Sequence, residues 1–120
     1  MAGTMRVELV SPEQVLFSGD AVVVVCRPEG GDAAFLPGHA PFLGLLGIGP
    51  VTIRTEDGKE IRAAVHGGFV QVSDNKVTIL SDVAELAADI DVERARAAQG
   101  RGESPEATRR AATRLLVAGA

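Results

Sequence analysis

The chain has 120 residues, 46% apolar and only 3% aromatic with neither Trp nor Tyr, and a formal net charge of −4. That length holds one domain, or one domain with a small appendage. Few aromatic platforms and no basic excess argue against nucleic-acid binding. The single cysteine, Cys26, excludes an intrachain disulfide and a cysteine-rich metal site. At the end of Val22-Val23-Val24-Val25 it reads as a buried, inert thiol. The longest apolar runs are too short to span a bilayer, and Met1 to Arg6 lacks the apolar region of a secretory signal. Folding in the cytoplasm is expected, with no direct membrane insertion and any membrane association made through a partner.

Strands are predicted from Arg6 to about Leu80. Arg6-Val7-Glu8-Leu9 alternates as a half-buried strand does. Ser11-Pro12-Glu13 breaks it, Gln14 to Phe17 is a short second strand, and Ser18-Gly19-Asp20 turns the chain. Asp20 to Arg27, β-branched and apolar on both parities, reads as a central strand covered on both faces. Pro28-Glu29-Gly30-Gly31-Asp32 is a loop by composition. In Phe35-Leu36-Pro37-Gly38-His39-Ala40-Pro41-Phe42-Leu43, each proline fixes its own φ and holds the preceding residue extended. Gly38 is free to take a positive φ, and Phe35-Leu36 and Phe42-Leu43 are expected to bury. The product is a stiff, exposed loop, readable as a rigid turn between strands or as a preset surface for a partner.

Leu43 to Leu46 is the next strand, ended by Gly47-Ile48-Gly49-Pro50. Val51-Thr52-Ile53-Arg54-Thr55 and Ile61-Arg62-Ala63-Ala64-Val65 flank Asp57-Gly58, a hairpin signal whose two central residues are expected at positive φ. Gly67-Gly68 precedes Phe69-Val70-Gln71-Val72, Asp74-Asn75 turns, and Lys76 to Leu80 alternates. Eight or nine short strands with Gly and Pro between them argue a β-sandwich or barrel.

Composition changes near Asp82. Residues 1–87 carry six basic and eleven acidic side chains, whereas residues 88–120 carry six and five. Asp91 is placed as a helix N-cap, with Ile90 and Ala95 as a hydrophobic staple. Gly100-Arg101-Gly102-Glu103 ends that helix. Ser104 caps a second, with Pro105 at its first position and Glu106 at the positive end of its dipole. Val92, Ala95 and Ala98, and then Ala107, Ala111 and Leu115, recur at helical spacing. Two helices too short to stand alone in water make a close-packed hairpin that leans on the strands or on a partner. The fold class is therefore mainly β with an α appendage: an N-terminal antiparallel β-sandwich, residues 1–86, then a C-terminal helical hairpin, residues 87–120.

No catalytic or metal site is expected. His39 and His66 lie outside any metal-ligand spacing, and no nucleophile elbow, P-loop or dinucleotide fingerprint is present.

Glu29-Gly30-Gly31-Asp32 with Phe35-Leu36-Pro37-Gly38-His39-Ala40-Pro41 resembles the signature loop of the epsilon subunits of bacterial F-type ATP synthases, usually Gly-Glu-x-Gly-Ile-Leu-Pro-Gly-His-Ala-Pro-Leu. It departs from that pattern at Ala34, Phe35 and Phe42. In the same order, Val10-Ser11-Pro12-Glu13-Gln14, His66-Gly67-Gly68-Phe69-Val70-Gln71-Val72, Val77-Thr78-Ile79-Leu80-Ser81-Asp82 and Asp89-Ile90-Asp91-Val92-Glu93-Arg94-Ala95 are similar to further family segments. The hairpin is shorter than in long members.

The resemblance implies a non-catalytic central-stalk subunit of a proton-translocating ATP synthase, binding the gamma subunit and the ring of c subunits and coupling proton flow to ATP synthesis. It places the complex at the cytoplasmic face of a bacterial plasma membrane. Glu29, Gly31, Asp32, Pro37, Gly38, His39, Ala40 and Pro41 would face the c ring. The hairpin, with Arg109, Arg110 and Arg114 on its second helix, would meet the alpha and beta catalytic subunits and regulate hydrolysis. No cofactor is implied beyond regulatory ATP, which some family hairpins bind through Ile-Asp-x-x-Arg-Ala. Here that points to Asp91 and Arg94, with Glu85, Arg101, Arg110 and Arg114 at compatible positions. Asp91 reads equally as a cap alone, and the arginines as a solvated face. ATP sensing as the main role, or an adaptor outside ATP synthase, are the alternatives.

Overall fold

The computed structural model describes residues 3–28 and 31–120. Eight strands come first: β1 Met5–Val10, β2 Val15–Ala21, β3 Val23–Cys26, β4 Ala33–Phe35, β5 Phe42–Arg54, β6 Glu60–Ser73, β7 Lys76–Leu80 and β8 Ala84–Leu86. One turn of 3₁₀ helix, Ala87–Asp89, leads into α1 Val92–Arg101 and α2 Pro105–Ala118. The chain adopts the expected β-sandwich with a C-terminal helical hairpin.

The sheet order is β2-β1-β7-β6-β5-β3-β4, with β8 also on β6. The long strands β5 and β6 pair from Phe42↔Val72 to Arg54↔Glu60 and pass through both layers. Their Phe42–Leu46 and Gly68–Val72 halves continue into β7, β1 and β2. Their other halves continue into β3 and β4 on one side and β8 on the other. The bend between layers falls at Gly47 and Gly49 of β5 and at Gly67 and Gly68 of β6. The breaks expected at these glycines are thus bends inside continuous strands, since strands that switch layers need flexible corners. The core between the layers is aliphatic, with Val7, Leu9, Val24, Ile53, Val70, Val77 and Ile79 all fully buried.

Three other expectations are corrected. Ser18-Gly19-Asp20 is not a turn: β2 runs on to Ala21, paired with β1 as Glu8↔Ser18 and Val7↔Gly19. β3 is not covered on both faces; Val24 and Cys26 are buried while Val25 is exposed. The doubly covered segment is Ala63-Ala64-Val65 of β6, where Ala63 and Val65 face the core and Ala64 faces the hairpin. The Asp57-Gly58 hairpin is not a two-residue turn. Gly58 alone has positive φ, and the bonds Gly58 N→Thr55 O and Thr55 N→Lys59 O make a three-residue loop. The two-residue turn with both residues at positive φ is Asp74-Asn75, at +50° and +59°. Among the described residues all strand pairs are antiparallel except β1–β7, which is parallel.

The helix boundaries follow the caps read from the residues. Asp91 accepts from Arg94 N and Ser104 from Ala107 N, and Gly102 closes α1 in the left-handed region. α2 lies between α1 and the sheet, touching β5 and β6. Ala95 and Ala111 are buried, letting small side chains bring the helices together. On the sheet side Val117 and Ile90 pack on Ala64, with Ala87 and Ala118 beside them. Arg62 donates to Leu116 O at 3.0 Å, placing a cation at the negative end of α2.

Candidate functional site

The first site is the proline loop. Leu36 to His39 forms a β-turn closed by His39 N→Leu36 O at 3.1 Å, with Pro37 and Gly38 as its central residues. Gly38 has φ +82°, as the second central position of a type II turn requires. The tip is clamped from outside: Asn75 Oδ1 accepts from Gly38 N at 2.9 Å, and Asn75 Nδ2 donates to Thr4 O at 2.9 Å. Beneath it, buried Phe35 meets the His39 ring edge-on at 5.0 Å and Phe42 at 5.3 Å. His39 Nδ1 donates to the Ala40 carbonyl at 2.6 Å, which fixes the ring. Leu36 and Leu43 were expected to bury and do not; they are 57% and 71% exposed. Leu36 follows buried Phe35 just past the end of β4, and Leu43 points to the face of β5 opposite the half-buried Phe42.

At the base of the loop Asp32 pairs with Arg27 Nε at 3.0 Å and stays exposed. Gly31 has φ +137°, and Gly38, His39, Ala40 and Pro41 are exposed at the tip. Glu29 lies outside the described residues. Ala34, one of the departures from the resembled loop pattern, sits in β4 opposite Val25, so its methyl group does not disturb the turn.

The second site is a cleft of about 420 Å³ between the hairpin and β8. Its walls include all six residues expected at an ATP site: Glu85, Asp91, Arg94, Arg101, Arg110 and Arg114. Asp89 and Glu103 also line it, so four guanidiniums face four carboxylates. Two of the arginines are already paired closely, Arg114 Nε with Glu85 at 2.6 Å and Arg101 Nε with Glu103 at 2.6 Å. Arg110 reaches only Glu106, at 3.8 Å. Asp91 spends one oxygen on the α1 cap, 3.0 Å from Arg94 N.

A third feature has no counterpart in the motifs. On the outer face of the first layer, Leu45, Phe69, Leu80, Val10 and Val15 are successive cross-strand partners over β5, β6, β7, β1 and β2. Leu45, Phe69, Leu80 and Val15 are exposed, with Leu43 two residues from Leu45 on the same face. Periodicity hides this row, because Phe69-Val70-Gln71-Val72 is apolar on both parities at its start.

The sequence profile of the family described as ATP synthase, Delta/Epsilon chain, beta-sandwich domain matches residues 4–87. The ATP synthase epsilon chain of Streptomyces avermitilis is 47% identical, over 100% of this chain and 99% of its own length. That of Brevibacillus brevis is 50% identical over 82% of this chain and 75% of its own. Among solved structures, a chain of the Euglena gracilis mitochondrial ATP synthase OSCP/F1/c-ring assembly superposes with TM-score 0.68 at 21% identity, covering 95% of this chain and 76% of that one. A chain of the Tetrahymena thermophila mitochondrial ATP synthase central stalk and c-ring gives 0.66 at 19%, covering 98% and 96%. The structural likeness bears on the fold alone, whereas the profile and the bacterial relatives bear on descent. This chain belongs to the ATP synthase epsilon-chain family.

Proposed function

We propose that the chain is a non-catalytic rotor subunit of a proton-translocating ATP synthase, joining the gamma subunit to the c ring so that they turn together. The observation that carries this reading is the apolar row from Leu45 to Val15. A contiguous exposed apolar row that includes a half-exposed phenylalanine is an interface feature, because water does not favour it and aromatic anchors dominate binding energy. Gamma is the partner assigned to it. The proline loop, with Gly31, Asp32, Pro37, Gly38, His39, Ala40 and Pro41, is assigned to the c ring. Its clamped turn loses little freedom on docking, which suits a contact that carries torque. The complex would lie at the cytoplasmic face of a bacterial plasma membrane, with this subunit peripheral. No helix among the described residues is long and apolar enough to cross a membrane. The hairpin, through Arg109, Arg110 and Arg114, is assigned to the alpha and beta subunits.

The test is co-purification with alpha, beta and gamma from the native membrane complex. A Leu45→Ser, Phe69→Ser chain should keep its melting temperature and fall out of the complex. Normal assembly of that variant would refute the assignment of the row.

A second reading is favoured by the convergence of Glu85, Asp91, Arg94, Arg101, Arg110 and Arg114, from β8 and both helices, on one cleft. ATP is the ligand proposed for it. Its phosphates would take the arginine side chains, displacing Glu85 and Glu103 as their partners.

A further inference from the structure

His66 lies in β6 beside the Gly67-Gly68 bend, with its side chain only 3% exposed. Its Nε2 is 3.1 Å from Glu85 Oε1 of β8, and the same oxygen accepts from Arg114 Nε of α2 at 2.6 Å. One carboxylate thus ties a sheet residue to the hairpin. A carboxylate only accepts, so the neutral ring carries its proton on Nε2. Nδ1 is then a bare acceptor, buried and without a hydrogen-bond partner among the described residues. The charged groups acting on the ring are Glu85 of β8 and Arg110 and Arg114 of α2. Glu106 and Arg109 of α2 line the cleft that borders it.

Adding a proton to this ring creates a second N–H where nothing accepts it, next to two guanidiniums. Undocking the hairpin removes both arginines and lets water reach Nδ1. We propose that His66 is a pH-sensitive latch: neutral, it holds α2 docked through Glu85 and Arg114, and protonated, it releases the hairpin from the sandwich. Burial holds the imidazole below the usual histidine range, with Arg114 and Arg110 adding to this and Glu85 opposing it. The docked state therefore prefers the neutral ring. Its contribution is complete above about pH 6.5, the ordinary histidine value, and is lost as pH falls through the lower docked-state value. Each unit between the two values favours release by about tenfold at low pH. The latch concerns the chain alone and stands whether or not the rotor reading holds.

The experiment is an NMR titration of the full 120-residue chain from pH 8 to 5, following the His66 ring and the amides of α1 and α2. Hydrogen exchange of the α2 amides is measured in parallel and corrected for intrinsic rates. The latch predicts that helix signals move with the His66 titration, with protection falling severalfold, up to about tenfold, between pH 7.5 and 5.5. His66→Gln, which keeps a donor for Glu85, should hold that protection constant. If His66→Gln does not fold, Arg110→Gln serves, because Arg110 is partly exposed and outside the His66–Glu85–Arg114 contacts. It raises the docked-state value of the ring and should move release to lower pH. The proposal is overturned if His66 titrates while the helix amides stay unchanged, if His66→Gln releases as the wild type does, or if Arg110→Gln releases at the same pH.

Discussion

Gly68→Ala probes the bend on which the two layers depend. An ideal Cβ at Gly68 overlaps the Leu80 carbonyl oxygen and lies 3.0 Å from Ser81 Cα and 3.1 Å from the Leu80 carbonyl carbon. All three atoms are backbone, so no rotamer change relieves the overlap. Gly68 also has φ +135°, a region that L residues rarely adopt. The conformational strain costs about 1–3 kcal/mol, and pushing packed backbone aside costs about 1–3 kcal/mol more. Together that is a large part of the roughly 5–15 kcal/mol by which a domain is stable. Gly67 is the matched control: its φ is +87°, and the nearest atom to a new Cβ is Leu46 O at 3.9 Å. Gly67→Ala therefore carries only the conformational cost, about 1–2 kcal/mol. For a chain of this size each kcal/mol lowers Tm by about 3–6 °C, so Gly68→Ala should lose on the order of 10–20 °C and Gly67→Ala about 3–10 °C. Urea and thermal unfolding of the two variants measure this directly. Equal losses at the two positions would refute the reasoning, because the φ cost alone would then account for both.

Arg94→Ala should abolish the rise in Tm that millimolar ATP gives the wild-type chain, since a ligand that binds only the folded form stabilises it by mass action; no rise in the wild type would leave Asp91 as a cap alone. Asn75→Gly keeps the positive φ but removes both clamping hydrogen bonds, and should cost about 1–2 kcal/mol while exchange at the Gly38 amide quickens. Asn75→Ala should cost about 1 kcal/mol more than Asn75→Gly, the price of a left-handed residue with a Cβ; urea unfolding orders the two. Burial pushes the Cys26 thiol up to about 12 from 9.0, with a smaller push from Asp32. The neutral thiol is thus favoured in the fold, its contribution is present below pH 9 and lost as pH rises toward 12, and a thiol reagent at pH 8 should modify Cys26 only on unfolding.

The parts of this fold that were legible in the sequence are those written in local chemistry. Asp91, Ser104, Pro105 and Gly102 set the helix ends because capping is decided within four residues. The bends were harder to read. Gly47, Gly49, Gly67 and Gly68 look like breaks because a glycine gives the same local signal whether a strand stops or folds over. Only the register between Ile48 and His66 distinguishes the two. Both hairpin turns are where the residues put them, but the tight geometry expected of Asp57-Gly58 belongs to Asp74-Asn75, because Ser73↔Lys76 pairing leaves just those two residues between the strands. In the candidate sites, the proline loop announced its turn but not its clamp, since Asn75 is 37 residues from Gly38. The motif-derived cleft residues converge, while Asp89 and Glu103 went unnoticed as ordinary helix-end acids. The apolar row was invisible because it is made by register across five strands, and no stretch of the chain contains it.

The parallel pairing of β1 with β7 governs how the molecule comes into being. Arg6 faces Lys76 and Val10 faces Leu80, partners about seventy residues apart. β1 can be zipped by β2 as soon as that hairpin is made, but its other edge waits until nearly the whole sandwich has been synthesised. Closing so distant a pair loses chain entropy before any contact compensates, which slows the search for the native topology. During that wait Val7 and Leu9 on a half-paired strand form a sticky edge open to a neighbouring nascent chain. The hairpin leaves the ribosome after the sandwich and packs on Ala64 of β6, so it settles on a sandwich already formed.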